Sequence, residues 1–181
     1  LYRAPQPSAA DLEKYINENG IKTVINLRGE GTGNRWYDEE VKVLNKYNVK
    51  LVNIGMSAKR LPHKNDLIKL MDTFETAEKP MLIHCRAGVD RTGEAAAMYE
   101  MMYMNKTKEE ALEMLSPSFA HFEQFMPAKR YFIRDLWQGE DWARDQYDPC
   151  VNDYKFYDKN NPNCTNSINT KEEIIGTESD T

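Results

Sequence analysis

The chain has 181 residues, 40% of them hydrophobic, and a formal net charge of −5, which suits one domain of ordinary size with an appendage. No run of about 18 apolar residues occurs, so no integral membrane segment is expected. Residues 1–138 hold 20 Lys and Arg against 19 Asp and Glu, whereas residues 139–181 hold 4 against 10, a balance that excludes the basic face of a nucleic-acid binder and a basic amphipathic helix lying on lipid.

Ser8 with Asp11 three residues on reads as an N-cap, opening a helix over Ala9–Asn19 that Gly20 ends. Thr23–Leu27 is a buried strand running into a glycine-rich loop, Arg28–Gly33. A helix is expected over Tyr37–Tyr47, a second strand over Val49–Ile54, and a helix over Asp66–Ala77 that turns Leu67, Leu70, Met71 and Phe74 inward. Between the last two lies an irregular basic loop, Gly55–His63. Met81–His84 is a short apolar strand, followed by a loop and a long helix from Thr92 to Met104. Thr107 with Glu110 forms a capping box for a helix over Lys108–Leu115, which Pro117 breaks. A last helix is expected over Phe119–Trp137.

Strands alternating with helices predict an α/β fold, a central mostly parallel sheet flanked by helices. The composition divides the chain into residues 1–138 and an acidic, Asn-, Asp- and Tyr-rich extension, 139–181, loosely ordered after Asn160. A monomer is expected. The opening residue is Leu1 rather than Met, so an export signal, if the natural protein has one, lies outside this sequence. An exported or periplasmic location is favoured, with a cytoplasmic one as the alternative. Of three cysteines, Cys85 stands where an apolar strand meets a glycine-containing loop, and Cys150 and Cys164 lie in the extension. The odd count leaves at least one free thiol, and both a Cys150–Cys164 disulfide and three reduced thiols are compatible with it.

The centre of the chain is His84-Cys85-Arg86-Ala87-Gly88-Val89-Asp90-Arg91-Thr92-Gly93, a strand end, a turn and a helix start. Inward-pointing N–H groups of such a loop, with the positive end of the helix, make an anion cradle for which Arg86, Ala87, Gly88 and Val89 supply the backbone. Cys85 stands at its mouth, and the same N–H groups, the dipole and Arg91 favour its thiolate, the nucleophilic form. Arg91 presents a planar fork able to hold two phosphoryl oxygens. The Thr92 hydroxyl is placed to donate to the sulfur, and His84 to orient the loop.

This string resembles the H-C-x5-R-[ST] signature of the protein tyrosine phosphatase superfamily, including its dual-specificity members, with His84, Cys85, Arg91 and Thr92 at the defining positions. The resemblance implies a single phosphatase domain over residues 1–138 and hydrolysis of a phosphomonoester through a phosphocysteine. No metal or cofactor is expected, because the cysteine supplies the nucleophile and Arg91 the charge. The mid-chain position of the cysteine argues against the low-molecular-weight tyrosine phosphatases. The five-residue spacing argues against rhodanese-type sulfurtransferases, whose loop is one residue shorter.

Most of the family draws its general acid, an Asp, from a loop some thirty residues before the cysteine. Here no Asp or Glu occurs from Val41 to Asn65. Asp90 offers a replacement, since Val-Asp-Arg-Thr resembles lipid and atypical bacterial phosphatases with an Asp at that place. A carboxyl beside a dianionic substrate holds its proton to higher pH, as an acid must. The alternative is an outward Asp90 paired with a neighbouring base, with His63 as the reserve acid.

Leu1-Tyr2-Arg3-Ala4-Pro5-Gln6-Pro7 resembles the opening of atypical dual-specificity phosphatases, and Ile25-Asn26-Leu27-Arg28 and Ala87-Gly88 resemble the tyrosine-phosphatase-like phytases. Arg28, Lys59, Arg60, His63 and Arg86 fall in or near loops expected to rim the cradle, which suits a substrate with more than one phosphate. An inositol phosphate is the first expectation. A phosphotyrosine or dual-specificity phosphoprotein substrate is the alternative, then a phosphoinositide. A phosphate-binding module without turnover is the reading from another class.

Overall fold

The computed structural model describes residues 1–157, 160–162 and 164. Strands β1 (Tyr2–Ala4), β2 (Thr23–Asn26), β3 (Lys50–Asn53) and β4 (Met81–His84) form one sheet in the order β1-β4-β2-β3, with every pairing parallel. The register sets Ile25 beside Val52 and Ile83, and Ala4 beside His84. Helices α1 (Ala9–Asn19), α2 (Arg35–Lys46), α3 (Lys64–Thr76), α4 (Asp90–Tyr103), α5 (Lys108–Ala111), α6 (Pro127–Tyr131) and α7 (Glu140–Asp145) cover its two faces.

The alternation of side chains along a strand divides the core in two. Val24 and Leu82 face a smaller core with Leu12 and Ile16 of α1 and Val43 and Leu44 of α2. Ile25 and Ile83 face a larger one with Leu67, Leu70, Met71 and Phe74 of α3 and Ala95, Ala97 and Met98 of α4. Each fully buried Leu, Ile or Phe contributes about 1.5–3 kcal/mol relative to exposure, so the two layers hold the sheet from both sides.

Local signals place most boundaries. Ser8 accepts from the Asp11 N–H, Gly20 ends α1 at φ 62°, and Thr107 and Glu110 form the expected reciprocal capping box. Two elements depart from expectation. The helix expected over Lys108–Leu115 tightens into a 3-10 turn at Leu112–Leu115. The helix expected over Phe119–Trp137 does not form as one piece: Pro117–Phe119 is a 3-10 turn, Ala120 takes a left-handed φ of 60°, and α6 begins at Pro127. Pro127 has no N–H to donate within a helix and is suited to the first turn. After α6 the chain widens into a π-turn over Phe132–Leu136, where the Trp137 N–H reaches the Phe132 carbonyl.

The larger core continues past residue 138. Trp142, Ala143 and Tyr147 are buried in it, and Tyr147 packs edge-on against Phe132 and beside Trp142. Cys150 and Cys164 are joined as a disulfide with a Cα–Cα distance of 5.2 Å, which leaves Cys85 as the free cysteine. The loose order expected after Asn160 concerns residues that lie mostly outside the described ones. Among the described residues, no helix is long and apolar enough to cross a membrane.

Candidate active site

Parallel strands bring the carboxyl ends of β1, β2, β3 and β4 to one edge, where α/β sheets place their ligand crevices. The segments leaving those ends are Pro5–Gln6, Leu27–Arg28, Gly55–His63 and Cys85–Arg91. The loop after β4 turns at Gly88, whose φ is 70°, and a Cβ there would come within 2.5 Å of the Pro5 nitrogen and 2.7 Å of the Ala4 carbonyl. Only glycine meets both the left-handed conformation and the close approach of β1. From β1, Arg3 donates to the Gly88 carbonyl at 2.8 Å and to the Met114 carbonyl at 3.3 Å, and its guanidinium lies 4.6 Å from the Phe119 ring centroid. The cradle is thus braced from behind.

Cys85 is buried at the base of this loop. Burial by itself pushes its thiol up. The Thr92 hydroxyl and N–H, the Arg91 charge and the Gly88 N–H outweigh burial and hold the thiol below its ordinary value. The buried Thr92 hydroxyl has no hydrogen-bond partner among the described residues, and the sulfur is the group it acts on. Arg91 is anchored through Nη1 to the carbonyls of Leu27 at 3.2 Å and Met56 at 3.3 Å, while its buried Nε has no partner among the described residues. That donor is what a phosphoryl oxygen in the cradle would satisfy.

His84 is fully buried, and its Nε2 lies 2.8 Å from Glu40 Oε1 on α2. Glu40 Oε2 accepts from Gln6 Nε2 at 2.9 Å, Gln6 Oε1 accepts from Arg28 Nη1 at 2.9 Å, and the Gln6 N–H reaches the Arg86 carbonyl at 3.2 Å. A continuous polar chain therefore runs from the buried histidine to the rim. The Arg28 guanidinium lies over the Trp36 ring, 3.4 Å from its centroid. Burial first, then the charges of Arg91 and Arg86, lower its pKa, so three guanidinium groups crowd one region.

Asp90 opens α4, and its Oδ1 lies 2.8 Å from His121 Nδ1. One oxygen is thus paired with a neighbouring base, while the side chain keeps 18% exposure. Behind it, Glu94 of α4 and Lys129 of α6 form a fully buried ion pair at 2.9 Å. Burial most strongly pushes the Glu94 carboxyl up, against Lys129, which favours its charge.

The basic loop is held at both ends. Met56 is tied to Arg91, and Ser57 Oγ accepts from the N–H groups of Lys59 and Arg60, whose side chains are exposed. Lys129 Nζ donates to the Arg60 carbonyl at 2.8 Å, the Leu61 N–H to the Phe156 carbonyl at 3.0 Å, and the Tyr147 hydroxyl to the Pro62 carbonyl at 2.6 Å. His63 caps α3, accepting from the Asn65 N–H through Nδ1, and its Nε2 lies 3.7 Å from Cys150 Sγ. This places His63 in the contact between the loop and the C-terminal extension. Asp66 follows in the first turn of α3, partly buried.

The structure therefore gathers Cys85, Arg86, Ala87, Gly88, Val89, Asp90, Arg91, Thr92, His84 and Arg28 around one cradle, with Lys59 and Arg60 on the adjoining loop. Sequence reasoning missed Glu40, the function of Gln6 and Arg3 as braces, and His121. Glu40 stands in an acidic run, Asp38-Glu39-Glu40, whose members only helix phase distinguishes. His121 fell within a stretch read as helix.

Residues 1–135 match the family model described as DSP-PTPase phosphatase fused to NAD+ kinase, about three quarters of the chain. The dual specificity protein phosphatase TpbA of Pseudomonas aeruginosa (strain UCBPP-PA14) is 28% identical over 115 residues, covering 62% of this chain and 48% of TpbA, so the chain spans about half the length of that relative. The crystal structure of TpbA in complex with pTyr superposes with a TM-score of 0.61 at 23% identity, covering 78% of this chain and 82% of that one. The core catalytic domain of the PP-IP phosphatase SIW14 from S. cerevisiae, in complex with citrate, gives 0.63 at 22% identity, covering 78% and 83%. These two likenesses establish the fold.

Proposed function

Since the chain belongs to the DSP-PTPase family of phosphatases fused to NAD+ kinase, we propose that it is a cysteine-dependent phosphomonoesterase that works through a phosphocysteine on Cys85. The observation that carries this reading is a thiol held below its ordinary value despite burial, beside an arginine with an unpartnered buried Nε. In the first step the Cys85 thiolate attacks phosphorus, the S–P bond forms, the bond to the leaving oxygen breaks, and Asp90 gives that oxygen its proton. In the second, water attacks phosphorus, the S–P bond breaks, Asp90 takes the proton of the water, and inorganic phosphate leaves. Arg91 binds the equatorial oxygens throughout, and Thr92 stabilises the departing thiolate.

For the substrate we favour an inositol polyphosphate. Arg91 and Arg86 both act on Arg28 electrostatically, a concentration of charge that suits several phosphates at once. A phosphoprotein is the second reading, favoured by the relative named a dual specificity protein phosphatase. Labelled inositol hexakisphosphate and a labelled phosphotyrosine peptide, each mixed with enzyme and quenched in acid, test both steps. Label retained on protein but absent from Cys85→Ser supports the mechanism, and the ratio of kcat/KM values ranks the substrates. Undiminished hydrolysis by Cys85→Ser would refute the nucleophile.

A further inference from the structure

Asp90 does not stand alone. Its Oδ1 lies 2.8 Å from Nδ1 of His121, an imidazole with no solvent exposure. The segment carrying His121 is pinned to the site independently. The His121 N–H donates to the Ser116 carbonyl at 3.0 Å, Ala120 takes the left-handed conformation just before it, and Phe119 stacks on the Arg3 that braces Gly88. His121 Nε2 is buried and has no partner among the described residues. An unpartnered buried N–H costs more than an unpartnered lone pair on a neutral ring, so the imidazole carries its proton on Nδ1 and donates it to Asp90. Asp90 Oδ2 has no partner among the described residues and is the oxygen left for a leaving group.

We propose that His121 is the positioning residue of Asp90: its Nδ1–H fixes the carboxyl with Oδ2 toward the leaving oxygen and stabilises the carboxylate that remains after the proton is given. The buried ring touches no substrate and acts through Asp90. This inference rests on Asp90 being the general acid. The other charged groups packed against the pair are Glu94 of α4, which interacts electrostatically with both Asp90 and His121, and Lys129 of α6, its buried partner. Neither makes a hydrogen bond to Asp90, so the His121 donor is the contact whose removal isolates the effect.

Removing the donor frees the carboxyl to turn away from the leaving oxygen, so proton delivery weakens most for substrates whose leaving group needs it. Two neutral amides separate this from packing: the nitrogen of Asn can occupy the place of Nδ1, whereas that of Gln reaches toward the place of Nε2. For His121→Gln the alkaline limb of kcat/KM is expected to move, with kcat on inositol hexakisphosphate down about tenfold or more. On p-nitrophenyl phosphate, whose leaving group needs little protonation, the loss is expected to stay below about threefold. His121→Asn is expected to restore the limb and most of the rate.

If Asn and Gln behave alike, or if Gln lowers both substrates equally with the limb unmoved, His121 is a packing residue and the inference is overturned. Asp90→Asn measured in parallel separates the two levels. If it leaves limb and leaving-group sensitivity intact, the acid assignment itself fails. If it removes both while His121→Gln moves neither, the His121 inference alone falls.

Discussion

His84 Nε2 lies 2.8 Å from Glu40 Oε1, and neither side chain keeps more than 1% of its exposure. The contact joins the residue before Cys85 to the middle of α2, and through Gln6 it reaches Arg28 at the rim. Glu40→Ala leaves the His84 nitrogen and the Gln6 amide without their acceptor in a buried place. Each such group costs about 1–3 kcal/mol, so chemical denaturation should show a loss of that order, with kcat falling alongside because the cradle loses its support.

The Cys85 thiol sits below its ordinary value through Thr92, Arg91 and the Gly88 N–H, acting against burial. Reactivity toward iodoacetamide should therefore appear at lower pH than for a free cysteine, and the acid limb of activity should follow it. Thr92→Val removes the hydroxyl and should move that inactivation midpoint upward. It should also slow release of phosphate from the phosphocysteine more than its formation, seen as a larger pre-steady-state burst relative to turnover.

Arg28 is built into the rim by the Gln6 amide and the Trp36 ring rather than left to swing in solvent. Arg28→Ala should raise KM for inositol hexakisphosphate about tenfold or more, since a charge-assisted hydrogen bond contributes about 1.5–3 kcal/mol. It should change KM for p-nitrophenyl phosphate by far less. Equal effects on the two substrates would assign Arg28 to the scaffold alone.

The Cys150–Cys164 disulfide closes the chain around Phe156, whose carbonyl accepts from Leu61 of the basic loop, with Cys150 itself against His63. A loop of this length contributes about 3 kcal/mol in the chain-entropy picture. The double variant Cys150→Ser, Cys164→Ser should lower Tm and raise KM for polyphosphorylated substrates, while the inactivation rate of Cys85 by iodoacetamide stays within about twofold. Comparison by thermal denaturation and steady-state kinetics checks both halves.

Local rules made the loop that carries the proposed nucleophile readable without a structure. A strand of four apolar-to-His residues, a glycine turn and an alanine-rich helix place Cys85, Arg91 and Thr92 by adjacency, and the backbone N–H groups that lower the thiol belong to the same segment. The parallel sheet followed from alternation, and the caps at Ser8 and Thr107 from short-range hydrogen bonding. Pro127 also carried a legible signal, a helix start, within the stretch read as one helix.

What the amino-acid order determined, then, is one contiguous strand–loop–helix and the layers that present it. What tertiary structure alone decided is which distant side chains support that loop: Glu40 for His84, Gln6 for Arg28, His121 for Asp90, and residues 140–157 for the loop after β3. Gln6–Arg28, Asp90–His121, Glu40–His84 and Pro62–Tyr147 lie 22, 31, 44 and 85 positions apart. Their contact depends on strand order and on the angles at which helices cross the sheet, and no local periodicity encodes either.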